Sequence, residues 1–266
     1  MDITDKRIDG GKPFDFGKTS EVYAKYRDIY PPLFYEKIIK RGLCLDGQAV
    51  LDVGTGTGVL PRNLYQYGAK WIGVDISKEQ IDQAKRLAKN QGANIEFIAS
   101  DLESVDFPEG SFDVITACQC FWYFDHETVV PKLWRMLKEG GKLLILYMAW
   151  LPYEDEITSR SESLVLKYNP DWSGKGETKK PIELPAIVDR YFDVADREEY
   201  EMDVRFTRES WNGRMKSCRG VGASLGKKEL AMWEDEHKKM LESFASEEFE
   251  VKHYAALTVL KKTEKP

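Results

Sequence analysis

The 266-residue chain predicts an α/β fold. The expected architecture is a doubly wound sheet of seven mostly parallel strands. Three observations predict it. Val50-Leu51-Asp52-Val53 is an apolar strand that runs straight into Gly54-Thr55-Gly56-Thr57-Gly58, and a helical pattern follows at once. Short apolar runs then alternate with amphipathic stretches up to about residue 150, as βαβ units with parallel strands require. Glu250 to Leu260 supplies a closing strand after a long helical region.

Each element has a local reason. Residues 1–15 are polar and contain glycine, which predicts a mobile segment. A helical pattern over 19–42 is broken by Pro31-Pro32. Ala49 to Val53 is the first strand. The next helix starts near Val59, where Pro61 fits because first-turn N–H groups lack intrahelical partners. Trp71 to Val74 is the second strand. Ser77 caps a helix over Lys78 to Lys89, with Gln80 three residues on and Ile81, Ala84, Leu87 and Ala88 on one face. Ile95 to Ala99 and Val114 to Ala117 are strands, Val129 to Leu137 a helix, and Lys142 to Tyr147 the fifth strand. Beyond Trp150 the pattern predicts helices over Glu154 to Lys167, Thr207 to Cys218 and Glu229 to Phe244, a short helix through Ile187, and a strand over Glu201 to Phe206. The expected organisation is an N-terminal helical segment at 1–44, a core at 45–150, an insertion at 151–245 that includes the late strand, and a final strand at 246–266.

Composition narrows the partners. The net charge is −6, and no Lys/Arg stripe is present to hold nucleic-acid phosphates. No apolar stretch approaches the roughly 20 residues that span a membrane, and residues 1–12 lack a signal-peptide core; a cytoplasmic protein is expected. Four cysteines, at 44, 118, 120 and 218, form no C-x-x-C pair, so no metal site is expected.

The glycine turn specifies a ligand. The dinucleotide fingerprint is G-x-G-x-x-G, with a pyrophosphate at the helix N-terminus. Here the third glycine comes one residue early. Asp52, two residues before Gly54, is ill suited to a pyrophosphate and well suited to a cationic group. Asp75 ends the second strand, twenty-one residues after Gly54, where an acid accepts hydrogen bonds from ribose hydroxyls. These features describe a nucleoside without phosphates and with a cationic amino-acid portion, which S-adenosyl-L-methionine satisfies.

Val50 to Leu60 together with Gly73-Val74-Asp75-Ile76-Ser77 closely resembles the class I S-adenosylmethionine-dependent methyltransferases. Phe97-Ile98-Ala99-Ser100-Asp101-Leu102, Phe112 to Ala117 and Leu137-Lys138-Glu139-Gly140-Gly141-Lys142-Leu143 resemble three further segments of that family in order, with Glu139 at the usual proline. Tyr23 to Pro31 and Trp122-Tyr123-Phe124-Asp125 resemble two segments of its trans-aconitate methyltransferase-like group, whose histidine before the tryptophan is absent here. The resemblance covers roughly residues 20 to 150, and it implies a Rossmann-like fold whose last strand is antiparallel, with a helical lid segment at 1–44 and a helical lid insertion at 151–245. It implies methyl transfer to a small-molecule acceptor, with S-adenosyl-L-homocysteine as product, driven mainly by proximity and alignment. Alternatives are a protein- or RNA-directed methyltransferase and a non-catalytic S-adenosylmethionine-binding regulator.

The resemblance also implies cofactor contacts at Tyr26, Arg27, Asp52, Gly54, Thr55, Gly56, Asp75, Ile76, Asp101, Leu102, Cys118, Gln119 and Trp122. Arg27 is either a partner of the methionine carboxylate or a solvated helix-face arginine. Tyr23, Tyr123, Tyr147 and Trp150 are expected beside the acceptor. Arg214 and Arg219 either hold an anionic acceptor such as a carboxylate or are surface charges. No catalytic base is identified, and His126, His237 and His253 are expected to be structural.

Overall fold

The computed structural model describes residues 2–264. In chain order the regular elements begin with α1 (Ser20–Tyr26), α2 (Pro32–Ile39), β1 (Ala49–Val53), α3 (Val59–Leu64), β2 (Lys70–Asp75) and α4 (Lys78–Asn90). They continue with β3 (Glu96–Ala99), β4 (Phe112–Cys118), α5 (His126–Met136), β5 (Leu137–Trp150) and α6 (Glu156–Tyr168). The last are α7 (Val188–Tyr191), β6 (Phe192–Thr207), α8 (Arg208–Lys216), α9 (Lys227–Phe244) and β7 (Glu248–Lys262).

The seven strands form one sheet in the order β3-β2-β1-β4-β5-β7-β6. Pairs β1·β2, β2·β3, β1·β4 and β4·β5 are parallel, with Leu51 between Ile72 and Ile115. β7 runs against its neighbours. The Leu151 N–H, just past the end of β5, donates to the Lys252 carbonyl near the start of β7. Arg208 after β6 pairs with Glu247 before β7, and Thr263 after β7 pairs with Tyr191 before β6.

The chain divides into two compact units. One, the glycine-loop unit, comprises Tyr30–Met148, Lys180–Tyr200 and the described residues from Ala255. Its central strands are covered on both faces: Val50, Leu51, Val53, Val114, Ile115 and Ala117 are all buried, the near-continuous apolar run that parallel strands show. α4 starts where the Ser77 side chain accepts the Gln80 N–H. It packs Ile81, Ala84 and Ala88 on Phe97 of β3, each large side chain contributing about 1.5–3 kcal/mol.

The other, the helix-rich unit, comprises Ala149–Lys179, Glu201–Tyr254 and the described residues up to Ile29. Here α8 opens on a reciprocal Thr207/Ser210 cap. α1 lies against α8 because Gly213 has no side chain: a Cβ there would meet the Tyr26 ring at 2.2 Å. At the centre of this unit, Ser161 of α6, Asn212 of α8 and His237 of α9 form a buried hydrogen-bonded group.

Three expectations differ from what is found. Residues 2–15 are held in place. Ile3 and Phe14 form an antiparallel bridge, Phe14 is buried, and Asp9 is buried against Arg219 and Ser173. β5 begins five residues before Lys142 because Gly140, at φ +71°, lets a bulge form; the pairing jumps from Phe112↔Leu137 to Val114↔Lys142. β6 begins at Phe192, nine residues before Glu201, although residues 193–200 are mostly charged. Lys37 and Arg41 of α2 neutralise Glu198 and Asp196 there.

Candidate cofactor site

The site is built at the carboxyl ends of β1, β2 and β4 in the glycine-loop unit, the edge where open parallel sheets bind ligands. Gly54, Gly56 and Gly58 have φ of +62°, +56° and +72°, a region that glycine alone enters freely. Gly54 has a second requirement: a Cβ would lie 2.6 Å from that of Cys120. The turn is fixed by the Thr55 N–H to the Val74 carbonyl, 3.0 Å, and the Gly56 N–H to Asp75 Oδ2, 2.8 Å. Gly73 on β2 leaves room for it, since a Cβ there would meet Phe97 and the Thr55 hydroxyl, each at 2.8 Å.

Asp75 ends β2. Its Oδ2 accepts from Gly56 and its Oδ1 from the Ser77 N–H at 2.9 Å. Burial raises its carboxyl above the usual range while these two N–H groups pull it down. A carboxylate has about four acceptor positions, and two N–H bonds leave capacity for a pair of hydroxyls. Ile76 follows, partly exposed. Ser100 donates its N–H to the Asp75 carbonyl, which brings Asp101 and the buried Leu102 to the end of β3. Asp101 Oδ1 accepts the Glu103 N–H at 3.0 Å.

On the other side, β4 ends at Cys118 and Gln119. Cys118 Sγ donates to the hydroxyl of Tyr30 at 3.4 Å. Gln119 has a left-handed backbone, φ +65°, uncommon for a side-chain-bearing residue. Its N–H donates to the Leu146 carbonyl and its Nε2 to that of Met148, at 2.9 and 2.5 Å. These bonds clip the end of β4 to β5. Beyond them Trp122 meets Tyr147 edge to face at 5.0 Å, and Tyr123 lies in the same turn. His126 holds the Phe121 carbonyl at 3.0 Å and Asp125 caps α5.

Asp52 lies beneath the turn. It is 2% exposed, and both its oxygens are engaged by hydroxyls, from Thr55 and Thr116. Burial pushes its carboxyl up to about 6, the two hydroxyls lower it, and Asp75 raises it.

The remaining residues singled out from sequence lie in the helix-rich unit. Arg27 lies over the Tyr23 ring at 4.7 Å, and the Tyr26 hydroxyl donates to Glu209 at 2.6 Å. Arg214 is 5% exposed, 5.0 Å from the Trp150 ring centre, with Nη1 donating to Cys218 Sγ at 3.0 Å. The indole N–H of Trp150 donates to the buried Glu162 at 2.7 Å. Arg219 is engaged by Asp9, with Nε 2.8 Å from Oδ2 and Nη2 3.0 Å from Oδ1. Burial works against the Asp9 charge, but Arg219 and Ser173 outweigh it and hold the carboxyl below its usual range.

Sequence reasoning passed over Thr116 and Glu162. Thr116 carried a signal: it is the polar residue in the buried centre of an apolar strand, where a hydroxyl needs a partner. Glu162 looked like any charge on an amphipathic helix.

Residues 50–141 match the family model described as a methyltransferase domain. A Dictyostelium discoideum protein named as a methyltransferase is 28% identical over 67% of this chain and 64% of its own length. A ubiquinone biosynthesis O-methyltransferase of Coxiella burnetii is 36% identical over 40% of this chain and 46% of its own. The chain thus spans less than two thirds of either relative. The solved structure of the Bacillus subtilis YcgJ protein matches with a TM-score of 0.53 at 22% identity, over 86% of this chain and 97% of that one, a likeness of fold. Residues 50–141, which hold the glycine turn and the strand-end acid Asp75, are thus a methyltransferase domain of the class I S-adenosylmethionine-dependent type.

Proposed function

We propose that the chain uses S-adenosyl-L-methionine to methylate a small molecule that carries a carboxylate. The observation that carries the cofactor reading is the pairing of Asp75 with the left-handed turn through Gly56. Asp75 retains acceptor capacity for both ribose hydroxyls, and Gly54 to Gly58 let a ligand approach the backbone closely. Ile76, Leu102 and Trp122 supply apolar surface for the adenine and Asp101 an acceptor for its amino group. Cys118 and Gln119 border the turn, and Tyr26 and Arg27 are assigned to the methionine portion.

Bound S-adenosyl-L-methionine supplies an already activated methyl group. The chain's own contribution is then to hold, align and dehydrate, without an obligatory base. Arg214 is the residue for the acceptor's carboxylate, since guanidinium pairs with carboxylates in bidentate fashion; Arg219 already serves Asp9. Trp150 and Tyr147, with Tyr23 and Tyr123, are assigned to the acceptor's apolar part. The O-methyltransferase of ubiquinone biosynthesis among the relatives is consistent with a small-molecule acceptor.

Calorimetric titration with S-adenosyl-L-homocysteine tests the first half. Wild type is expected to bind, and Asp75→Ala to bind at least tenfold more weakly, the scale of a hydrogen bond to a charged group. A wild-type chain that binds nothing sinks the reading. Labelled methyl transfer to a panel of carboxylic acids tests the second half. Arg214→Met should raise the acceptor KM about tenfold; binding without turnover on any acceptor marks a regulator instead.

A further inference from the structure

Three segments meet at one carboxylate beneath the glycine turn. Asp52 is the next-to-last residue of β1 and is opposite Thr116 of β4 in the parallel register. Thr116 Oγ1 donates to Asp52 Oδ1 at 2.6 Å, and Thr55 Oγ1 donates to Oδ2 at 2.6 Å. Each hydroxyl has one proton to give, and each gives it to Asp52. Thr55 sits between the first two glycines, with its own N–H anchored on Val74. The segment just after β4 holds the same end of β1 at a second point, where the Cys120 thiol donates to the Val53 carbonyl at 3.0 Å. A fully buried hydroxyl in an apolar strand is destabilising unless bonded, so Thr116 stands out against Val114, Ile115 and Ala117 around it.

We infer that Thr116 is a positioning residue for the cofactor turn: through Asp52 it fixes Thr55, and with it the left-handed backbone from Gly54 to Gly58. Asp52 then acts on the turn and not as a direct cofactor ligand, because it is buried beneath the turn. The inference rests on the cofactor reading proposed above.

The brace works when Asp52 is ionised. A protonated carboxyl presents an O–H toward one of the two hydroxyls, and that hydroxyl must rotate away. The charged and titratable groups around Asp52 are Asp75 of β2 and the thiols of Cys44, before β1, and Cys120, after β4. Burial raises both thiols and keeps them neutral at pH 7. Acidification through about pH 6 therefore loosens the brace through Asp52 itself. Removing the Thr116 hydroxyl takes away one of the two groups that favour the carboxylate, so the Asp52 titration must move to higher pH.

The test is calorimetric titration of the full chain with S-adenosyl-L-homocysteine between about pH 5 and 8, for wild type, Thr116→Val and Thr116→Ser. Valine keeps the shape and strand preference of threonine without the hydroxyl. Thr116→Val is expected to bind about tenfold more weakly at pH 7, with the acid limb of its affinity displaced to higher pH. Thr116→Ser should match wild type in both respects. Asp75 is common to all three proteins, so the displacement between them is the readout, and loose packing alone would not move it. Thr55→Val and Thr55→Ser repeat the comparison from the turn side and decide the matter if Thr116→Val does not fold. Wild-type affinity with an unmoved limb in the valine variants overturns the inference, as does a serine variant that fails to restore binding. A wild-type chain that does not bind overturns the cofactor reading as well, a result distinct from wild-type binding that is indifferent to the hydroxyls.

Discussion

Each unit is built around a buried polar centre, and the two centres are balanced differently. In the helix-rich unit, the Asn212 amide donates to His237 Nδ1 at 2.8 Å. That fixes the ring proton on Nε2, which donates to Ser161 Oγ at 3.0 Å. The Trp211 indole donates to the same oxygen at 2.9 Å, and the Ser161 proton goes to the Ile157 carbonyl at 2.7 Å. Both ring nitrogens and the serine hydroxyl are satisfied from within, and the centre is neutral. In the glycine-loop unit, two hydroxyls converge on Asp52 and leave a carboxylate to be kept ionised in a buried place. A neutral, closed network fixes packing; a charge held against burial beside a left-handed turn marks a site.

The largest expected effect breaks the turn itself. Gly54→Val adds a Cβ about 2.6 Å from Cys120 at a φ of +62°. Left-handed strain of about 1–2 kcal/mol and overpacking of about 1–3 kcal/mol combine. Chemical denaturation should show a loss of roughly 2–5 kcal/mol, with S-adenosyl-L-homocysteine binding lost in whatever remains folded. Next, Gly213→Ala pushes Tyr26 off α8. It should cost about 2–3 kcal/mol in the helix-rich unit, read as faster hydrogen exchange in α1.

Acid separates the two centres by sign. Burial lowers the pKa of His237 to about 3, and that of His253 likewise. The stability each contributes is complete above the unfolded value near 6.5 and is lost as pH falls toward 3. Asp52 is raised to about 6, so its contribution is complete below about 3.9 and lost as pH rises through 6. Between pH 6.5 and 5 each histidine should remove about 1.6 kcal/mol, while Asp52 opposes the loss. Denaturation of His237→Leu at the two pH values checks this: its pH slope should fall short of the wild-type slope by one histidine's share. The smallest effect belongs to an exposed pair. Lys78→Ala removes the i,i+4 contact with Asp82 and should change stability by less than about 0.5 kcal/mol.

The glycine-loop unit was the more legible of the two in sequence. Its strands are short, apolar and bounded by glycines or caps, and the turn announces itself because only glycine meets its backbone demand at Gly54, Gly56 and Gly58. β1 and α4 fall within a residue of expectation for that reason. The helix-rich unit depends on partners far apart in the chain. Asp9 in a polar leader gives no hint of Arg219, and Glu162 on an amphipathic helix gives none of Trp150. The glycine-loop unit has one such place: the charged start of β6 reads as loop until Lys37 and Arg41, more than 150 residues earlier, are placed beside it. Thr116 lay between the two cases: its type was visible and its partner was not.

The order of β7 and β6 in the sheet has a consequence for synthesis. β7 is the last strand made, yet it lies between β5 and β6. β6 therefore cannot join the sheet on the ribosome until β7 has emerged. The Asp9–Arg219 pair spans 210 residues, so at about 5–20 residues per second Asp9 waits roughly 10–40 seconds for its cation. The β1–β4 half, complete by residue 118, has no such delay. A nascent chain should thus expose a nearly finished glycine turn well before the helix-rich unit closes, and stalled translation should leave that unit, not the turn, to chaperones and proteases.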